Sequence, residues 1–342
     1  MDMDNPLLSH QVEAVNSLSR CFHQVTVVTG KKGRYEVSKN VTVISTDWQV
    51  GNPFLNVVRF LRVAVPVLKN SDVVFSHMTE VQTFLLSPFT KALRKPHFLW
   101  YAHAHLSKFL IPSYLMIDGF VTSTSGSFPL KLKKVSKIGQ AIKSEDFFVP
   151  IKSMNKRKKL CHLGRFDSSK GISEIILAAY SIKNLFQNIT LTLVGTASNE
   201  HQSAYASNVR KLADKINQDK WIVFEEAIRR EIVIDFLMKH DVFVHAYKGS
   251  LDKTLIEATF AGLPVVTINH EYLRIFGTWS GCEINNVSLT AELQFLMNFE
   301  ENNLRKELNR RQHIALTRHS LDSWTTKLSK LLVDSIQMKD SV

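Results

Sequence analysis

Cysteine is scarce in this 342-residue chain. Three occur, Cys21, Cys161 and Cys282, far apart and without metal-type spacing. So sparse and odd a set argues against a disulfide framework and fits a reducing compartment. Long hydrophobic runs are missing as well. The best candidate, FLRVAVPVL at 60–68, is far short of the roughly 20 apolar residues that a spanning helix needs, and it carries an Arg and a Pro. The opening, MDMDNPLLSHQ, lacks the basic-then-apolar order of a secretory leader. The sequons at Asn40, Asn188 and Asn286 therefore read as chance. No G-x-G-x-x-G follows a strand-like run, which disfavours a nicotinamide dehydrogenase.

Acidic residues are also in deficit. Lys and Arg number 43 against 31 Asp and Glu, a formal net charge of +12. Basic residues gather at 131–137 (KLKKVSK) and 152–159 (KSMNKRKK). A nucleic-acid patch calls for interleaved aromatics or a known module, and neither is present. Two readings remain: a solvated linker face, or attraction to an anionic membrane surface or phosphorylated substrate.

What the chain does have is ordinary globular composition, 44% hydrophobic and 22% charged, at a length suited to two domains. Short β-branched runs alternate with helix-length amphipathic segments, which predicts an α/β class with parallel sheets. Strands are predicted at 25–29, 41–45, 72–77, 97–102, 119–123 and 135–139. A second series follows at 159–164, 189–195, 221–226, 241–246 and 264–268. The two series predict Rossmann-like domains over 1–150 and 151–320. A final helix at 321–338 has one apolar face (Leu321, Trp324, Leu328, Leu331, Leu332, Ile336). The first domain opens on a helical pattern from Leu8 rather than on a strand, so its first strand either lies elsewhere or is missing.

Three stretches carry chemistry. LCHLGRFDSSKGISEIILAAYSI (160–182) reads strand, loop, helix, and its loop bears Gly164, Arg165, Lys170 and Gly171. Ligands of open α/β sheets bind at strand carboxyl ends. Two cations beside a glycine suit a diphosphate there, although a basic surface loop would look the same. LTLVGTASNE (191–200) repeats the pattern and ends its strand at Gly195, which an ordinary tight exit also explains. DVFVHAYKGSLDKTLIEATFAGLPVV (241–266) then gives strand, loop, helix and strand. Asp252 or Thr254 is expected to cap its helix. Glu257 is either a surface glutamate or a buried carboxylate able to grip two vicinal hydroxyls.

In this order, GR-x4-KG, LTLVG and DVFVHA–GSLDKTLIEATFAGLPVV, the chain resembles family 4 (group 1) glycosyltransferases strongly over about 160–270. More faintly, DVVFSHMTEVQTFLLSPFTKALRKPHFLWYAHAH (72–105) resembles their acceptor-side domain. The resemblance implies a GT-B fold, two Rossmann-like domains facing across a cleft, and a nucleotide-sugar donor. It implies a retaining transfer without a metal, with Arg165 and Lys170 holding the departing diphosphate. It places His103 (with His105 the near alternative) on the donor from the first domain, and Glu257 on the ribose. Gly164, Gly195, Gly249, Ser250, Leu251, Asp252, Lys253 and Thr254 complete the expected donor site. The final helix is expected to cover the first domain.

Two departures stand out. Where the family has the first of two glutamates separated by seven residues, this chain has Gly249. Where the family has a His/Asn-Gly-Ile-Asp segment, this chain reads Gln140-Ala141-Ile142-Lys143. Backbone amides at 249–251, with Asp252 or Lys253, are candidates to replace the lost glutamate. The Asp2-Met3-Asp4 pair has metal-like spacing but follows no strand. The expectation is therefore no metal and no other cofactor. The competing readings are a degenerate nucleotide-sugar-binding scaffold, or another enzyme on the same fold such as an epimerase. The acceptor is expected to be a saccharide or lipid-linked, in bacterial surface polysaccharide or lipopolysaccharide synthesis. The expected location is the cytoplasm, peripheral at the inner face of the membrane. His105–Tyr114 and Phe147-Phe148 are the aromatic stretches that could touch lipid, with packing in the core the favoured fate of each.

Overall fold

The computed structural model describes residues 1–4, 10–151 and 157–340. Leu8 and most of the basic cluster 152–159 lie outside the described residues. The chain divides into two compact units, 1–143 with 318–342, and 144–317.

The first unit begins with helix α1 (His10–Ser19), then strands β1 (Val25–Thr29) and β2 (Val41–Ser45). Helix α2 (Pro53–Lys69) leads to β3 (Val74–His77), α3 (Glu80–Ala92), β4 (His97–Trp100), α4 (Leu110–Tyr114), β5 (Gly119–Thr122) and β6 (Val135–Lys137). β1 and β2 form one parallel pair; β3, β4, β5 and β6 form a second parallel sheet in that order. β4 and β5 are buried along their whole length, as their apolar sequences HFLW and GFVT require.

The second unit runs α5 (Ser144–Phe147), β7 (Lys159–Leu163), α6 (Ile172–Lys183), β8 (Thr190–Val194), α7 (Glu200–Asp214) and β9 (Ile222–Glu225). It continues with α8 (Val233–Leu237), β10 (Val242–His245), α9 (Lys253–Phe260), β11 (Val265–Thr267), α10 (His270–Phe276), α11 (Leu289–Met297) and α12 (Glu301–His319). Its sheet is all parallel in the order β11-β10-β7-β8-β9. The first strand of the unit, β7, is therefore central, which is the doubly wound Rossmann order. A core of Leu160, Ile175, Ile176, Ala179, Leu191, Val242 and Leu293 closes around it.

All the predicted strands appear, each trimmed by at most three residues in total. The stretch in which a first strand of this unit would precede α1, residues 5–9, lies outside the described residues. In the second unit β7 lies between β8 and β10. At the corresponding place in the first unit, between β1 and β3, no strand lies among the described residues.

The last helix, α13 (Leu321–Asp340), belongs to the first unit. Trp324, Leu328 and Leu332 are buried with Ala14, Phe98, Trp100 and Val121. Trp324 meets Phe75 and Trp100 edge-on, at 6.2 and 5.8 Å between ring centroids. The departing segment 140–143 ties this helix down. Gln140 N donates to His319 Nδ1 (3.2 Å), Ile142 N to His319 O (3.1 Å), and Leu321 N to Ile142 O (2.7 Å).

Candidate functional site

In the second unit the chain leaves the centre in opposite directions from β7 and β10, which are neighbours. Their carboxyl ends thus form the switch point of the sheet, where open α/β sheets hold ligands. Two loops meet there, 164–171 after β7 and 246–252 after β10.

The first loop is anchored by Phe166, whose ring is buried, and by Asp167. Asp167 accepts from Ser169 N (3.0 Å), Ser169 Oγ (2.6 Å) and Gln202 Nε2 (3.0 Å), and the Ser169 bonds foremost hold its carboxyl below the usual range. Gly171 has φ +61°, and a Cβ there would lie 2.7 Å from Ala246 Cβ, so only glycine lets the two loops close up. A Cβ on Gly195 would lie 1.8 Å from the Gly164 carbonyl oxygen. Gly195 thus serves close approach of strand exits. At the start of α6, the amides of Ile172 and Ser173 donate to Tyr205 Oη (3.0 and 3.3 Å).

The second loop is organised by a residue that the sequence reading passed over, Asn269. Its buried Nδ2 donates to the carbonyls of Tyr247 (2.9 Å), Gly249 (3.2 Å) and Ser250 (3.2 Å). Its Oδ1 caps α10 by accepting from Tyr272 N (2.9 Å). Of the two cap candidates for α9, Asp252 takes the role, accepting from Thr254 N (3.4 Å). Ser250 and Leu251 are buried.

Asp252 also joins the loops. Lys170 Nζ reaches Asp252 Oδ2 at 2.5 Å and stands 4.1 Å from the Tyr247 ring centroid, with 11% of its side chain exposed. Beneath them His245 Nε2 lies 3.4 Å from the same Oδ2, and His245 Nδ1 lies 3.2 Å from Thr267 Oγ1. Thr267 Oγ1 accepts from Asn269 N (3.0 Å), so its proton is free to go to Nδ1. That assigns Nε2–H of a neutral imidazole as the donor to Asp252. Burial keeps His245 below its ordinary value despite Asp252. Burial alone would raise the Asp252 carboxyl, but the His245 hydrogen bond and the Lys170 charge outweigh it and hold it well below the usual range. Asp252 is thus a carboxylate at neutral pH.

Next to this cluster His162 is fully buried, with Nδ1 2.9 Å from Val244 O. Burial first, then repulsion from His245, lowers it to about 3. Its Nε2 lies 3.0 Å from where a Gly164 Cβ would be. Thr254 Oγ1 is likewise buried, and neither it nor His162 Nε2 has a partner among the described residues.

Glu257 is 4% exposed, which decides against a surface glutamate. Its Oε1 accepts from Arg230 Nη1 at 2.8 Å, and Arg230 stands 5.1 Å from the Phe147 ring centroid. Nε and Nη2 of Arg230 are buried with no hydrogen-bond partner among the described residues. Phe147 is therefore core beneath an arginine, the fate favoured for it from the sequence; Phe148 is exposed.

The remaining candidates fall elsewhere. Arg165 is exposed at the head of its loop, and Lys253 opens α9. A Cβ on Gly249 would lie 2.2 Å from Tyr247 Oη, so the tyrosine fills the space of any side chain at that position. In the first unit His103 is exposed on the loop after β4, edge-on to Tyr101 at 5.8 Å. Asp4, of the metal-like pair near the amino terminus, is bound by Arg34 at 2.7 Å.

Residues 143–276 match the family model of glycosyl transferases, group 1. This group 1 span contains both loops, every donor-side candidate, and Arg230 and Asn269. No curated protein matches the sequence. Solved structures do, at low identity. HepE of Anabaena, solved with UDP, is 12% identical, with 97% of this chain and 98% of that one covered and a TM-score of 0.72. A glycosyltransferase from Rickettsia africae is 12% identical over 98% and 97%, with a TM-score of 0.74. Sucrose-phosphate synthase from Thermosynechococcus elongatus is 13% identical over 95% and 92%, with a TM-score of 0.72. At such identity the likeness establishes the fold alone: parallel α/β units of the GT-B type.

Proposed function

We propose that the chain is a retaining glycosyltransferase that moves a hexosyl group from a nucleoside diphosphate to an acceptor hydroxyl. The observation that carries the reading is the set of buried polar groups at the switch point. Lys170 is fixed by Asp252 over His245, while Thr254 Oγ1, His162 Nε2 and two Arg230 donors are buried without partners among the described residues. Orphaned buried polar atoms are costly, and a ligand at this place would satisfy them.

The hard event is loss of the diphosphate as positive charge grows on the sugar. A preorganised cation in a water-poor site stabilises that leaving group. Lys170 serves this role and Arg165 assists from the loop head, so no divalent metal is needed. Glu257 takes the ribose hydroxyls and His103 positions the donor from the first unit. HepE has been solved with UDP and with UDP-glucose, which makes uridine nucleotides the first donors to test. A surface polysaccharide or lipopolysaccharide acceptor, handled at the inner face of the membrane, fits the basic charge.

A second reading, a nucleotide-sugar binder without transfer, is favoured by Gly249 and the Tyr247 ring beside it. Release of UDP from UDP-glucose separates the two. Turnover abolished by Lys170→Ala and untouched by chelator supports the transferase. Nucleotide binding without turnover for every sugar and acceptor tried selects the binder.

A further inference from the structure

The excess positive charge is not shared evenly. The first unit holds 21 Lys and Arg against 11 Asp and Glu, the second 22 against 20. Ten of the twelve surplus charges thus belong to the first unit. Within it, no acidic residue occurs between Asp47 and Asp72, a span that includes all of α2.

α2 turns an apolar stripe outward. Val50, just before it, is 95% exposed and Phe54 in its first turn is 80% exposed; Val58 follows on the same face at 43%. Arg62, Pro66 and Lys69 continue the exposed side at helical spacing. The opposite side is buried, with Phe60, Ala64 and Leu68 in a cluster with Leu86. So large an outward phenylalanine beside a valine is not explained by packing. Apolar tips followed by cations, with no acidic residue along the helix itself, match the interface of an anionic bilayer. No helix among the described residues is long and apolar enough to cross a membrane.

We infer that α2 and the turn before it dock the first unit on an anionic lipid surface, Val50 and Phe54 entering the headgroup layer and Arg62 and Lys69 meeting lipid phosphates. A soluble polyanion would use the cations but not the apolar tips, so the tips select the bilayer. The inference rests on the membrane part of the proposed function and names its surface.

The test is co-sedimentation of the full chain with phosphatidylcholine vesicles, with and without phosphatidylglycerol, at low and high salt. Wild type should bind only the anionic vesicles and be released by salt. Val50→Ser and Phe54→Ser should each weaken binding about tenfold, and Arg62→Glu by at least about fivefold. Leu177→Ser, at an exposed leucine of the second unit, should change nothing. The UDP-induced melting shift, measured for every variant, should stay as in wild type, which verifies folding and keeps the donor reading separate. No wild-type binding to anionic vesicles overturns the inference and the membrane reading together. Unchanged binding of the Val50 and Phe54 variants overturns the α2 surface alone. Capture by heparin but not by vesicles overturns it in favour of a soluble polyanion.

Discussion

Asp252 has three duties in this protein: it caps α9, pairs with Lys170 and takes the His245 proton donor. Asp252→Asn keeps the cap and the shape but removes the charge that fixes Lys170. It should destabilise the fold by about 3 kcal/mol, because the nearly buried Lys170 cation loses its partner, and lower turnover by about tenfold or more, since preorganised charge is what such sites contribute. Asp252→Ala should add about 1 kcal/mol of lost capping, read in the denaturation midpoint. Equal turnover in wild type and Asp252→Asn would remove Asp252 from the site. Lys170→Ala should cut transfer by about 10². Much of this was legible beforehand: Lys170, Asp252, Thr254 and Glu257 stand in one order along the sequence. Arg230 was not, because it lies 27 residues from Glu257 on a different loop with no pattern of its own. Asn269 was missed for a similar reason. An asparagine after a strand reads as a turn, and nothing local tells that its amide holds three carbonyls of a loop about 20 residues earlier.

At the scale of elements, strands were legible because buried parallel strands need apolar, β-branched runs with little else to imitate them. Their pairing was legible only in part. Among the described residues β1-β2 and β3-β4-β5-β6 form separate sheets, a break that no local pattern in the sequence announced. The role of the departing segment 140–143 was not legible. Its bonds run to residues 319–321, and no local pattern reveals so distant a partner. The helix it secures, α13, depends on one residue above the others. Trp324 is 1% exposed and meets two aromatic rings. Trp324→Ala should destabilise by about 3–5 kcal/mol, measured by chemical denaturation. A loss under about 1 kcal/mol would mean that α13 is not part of the core of the first unit.

For the whole molecule, buried histidines set the response to acid. His97 is lowered by burial to about 4, and His162 and His319 to about 3. Each is neutral when folded and ordinary when unfolded, so the unfolded chain binds more protons below pH 6.5. Their contribution is complete above about pH 6.5 and is lost as pH falls toward 3–4. Between pH 7 and pH 5 each should cost about 2 kcal/mol. Denaturation at the two pH values should show a loss of several kcal/mol, with both units affected, since His162 belongs to one and His97 and His319 to the other. Stability that stays flat over this range would contradict the burial of these rings.

The central claim is that the switch point of the second unit is built to receive a nucleoside diphosphate on Lys170. Calorimetric titration with UDP, GDP and ADP, on wild type and Lys170→Ala, tests it most directly. The account predicts saturable binding of at least one of them and a loss of about tenfold or more in the variant. Binding of none, or equal binding by both proteins, would contradict it.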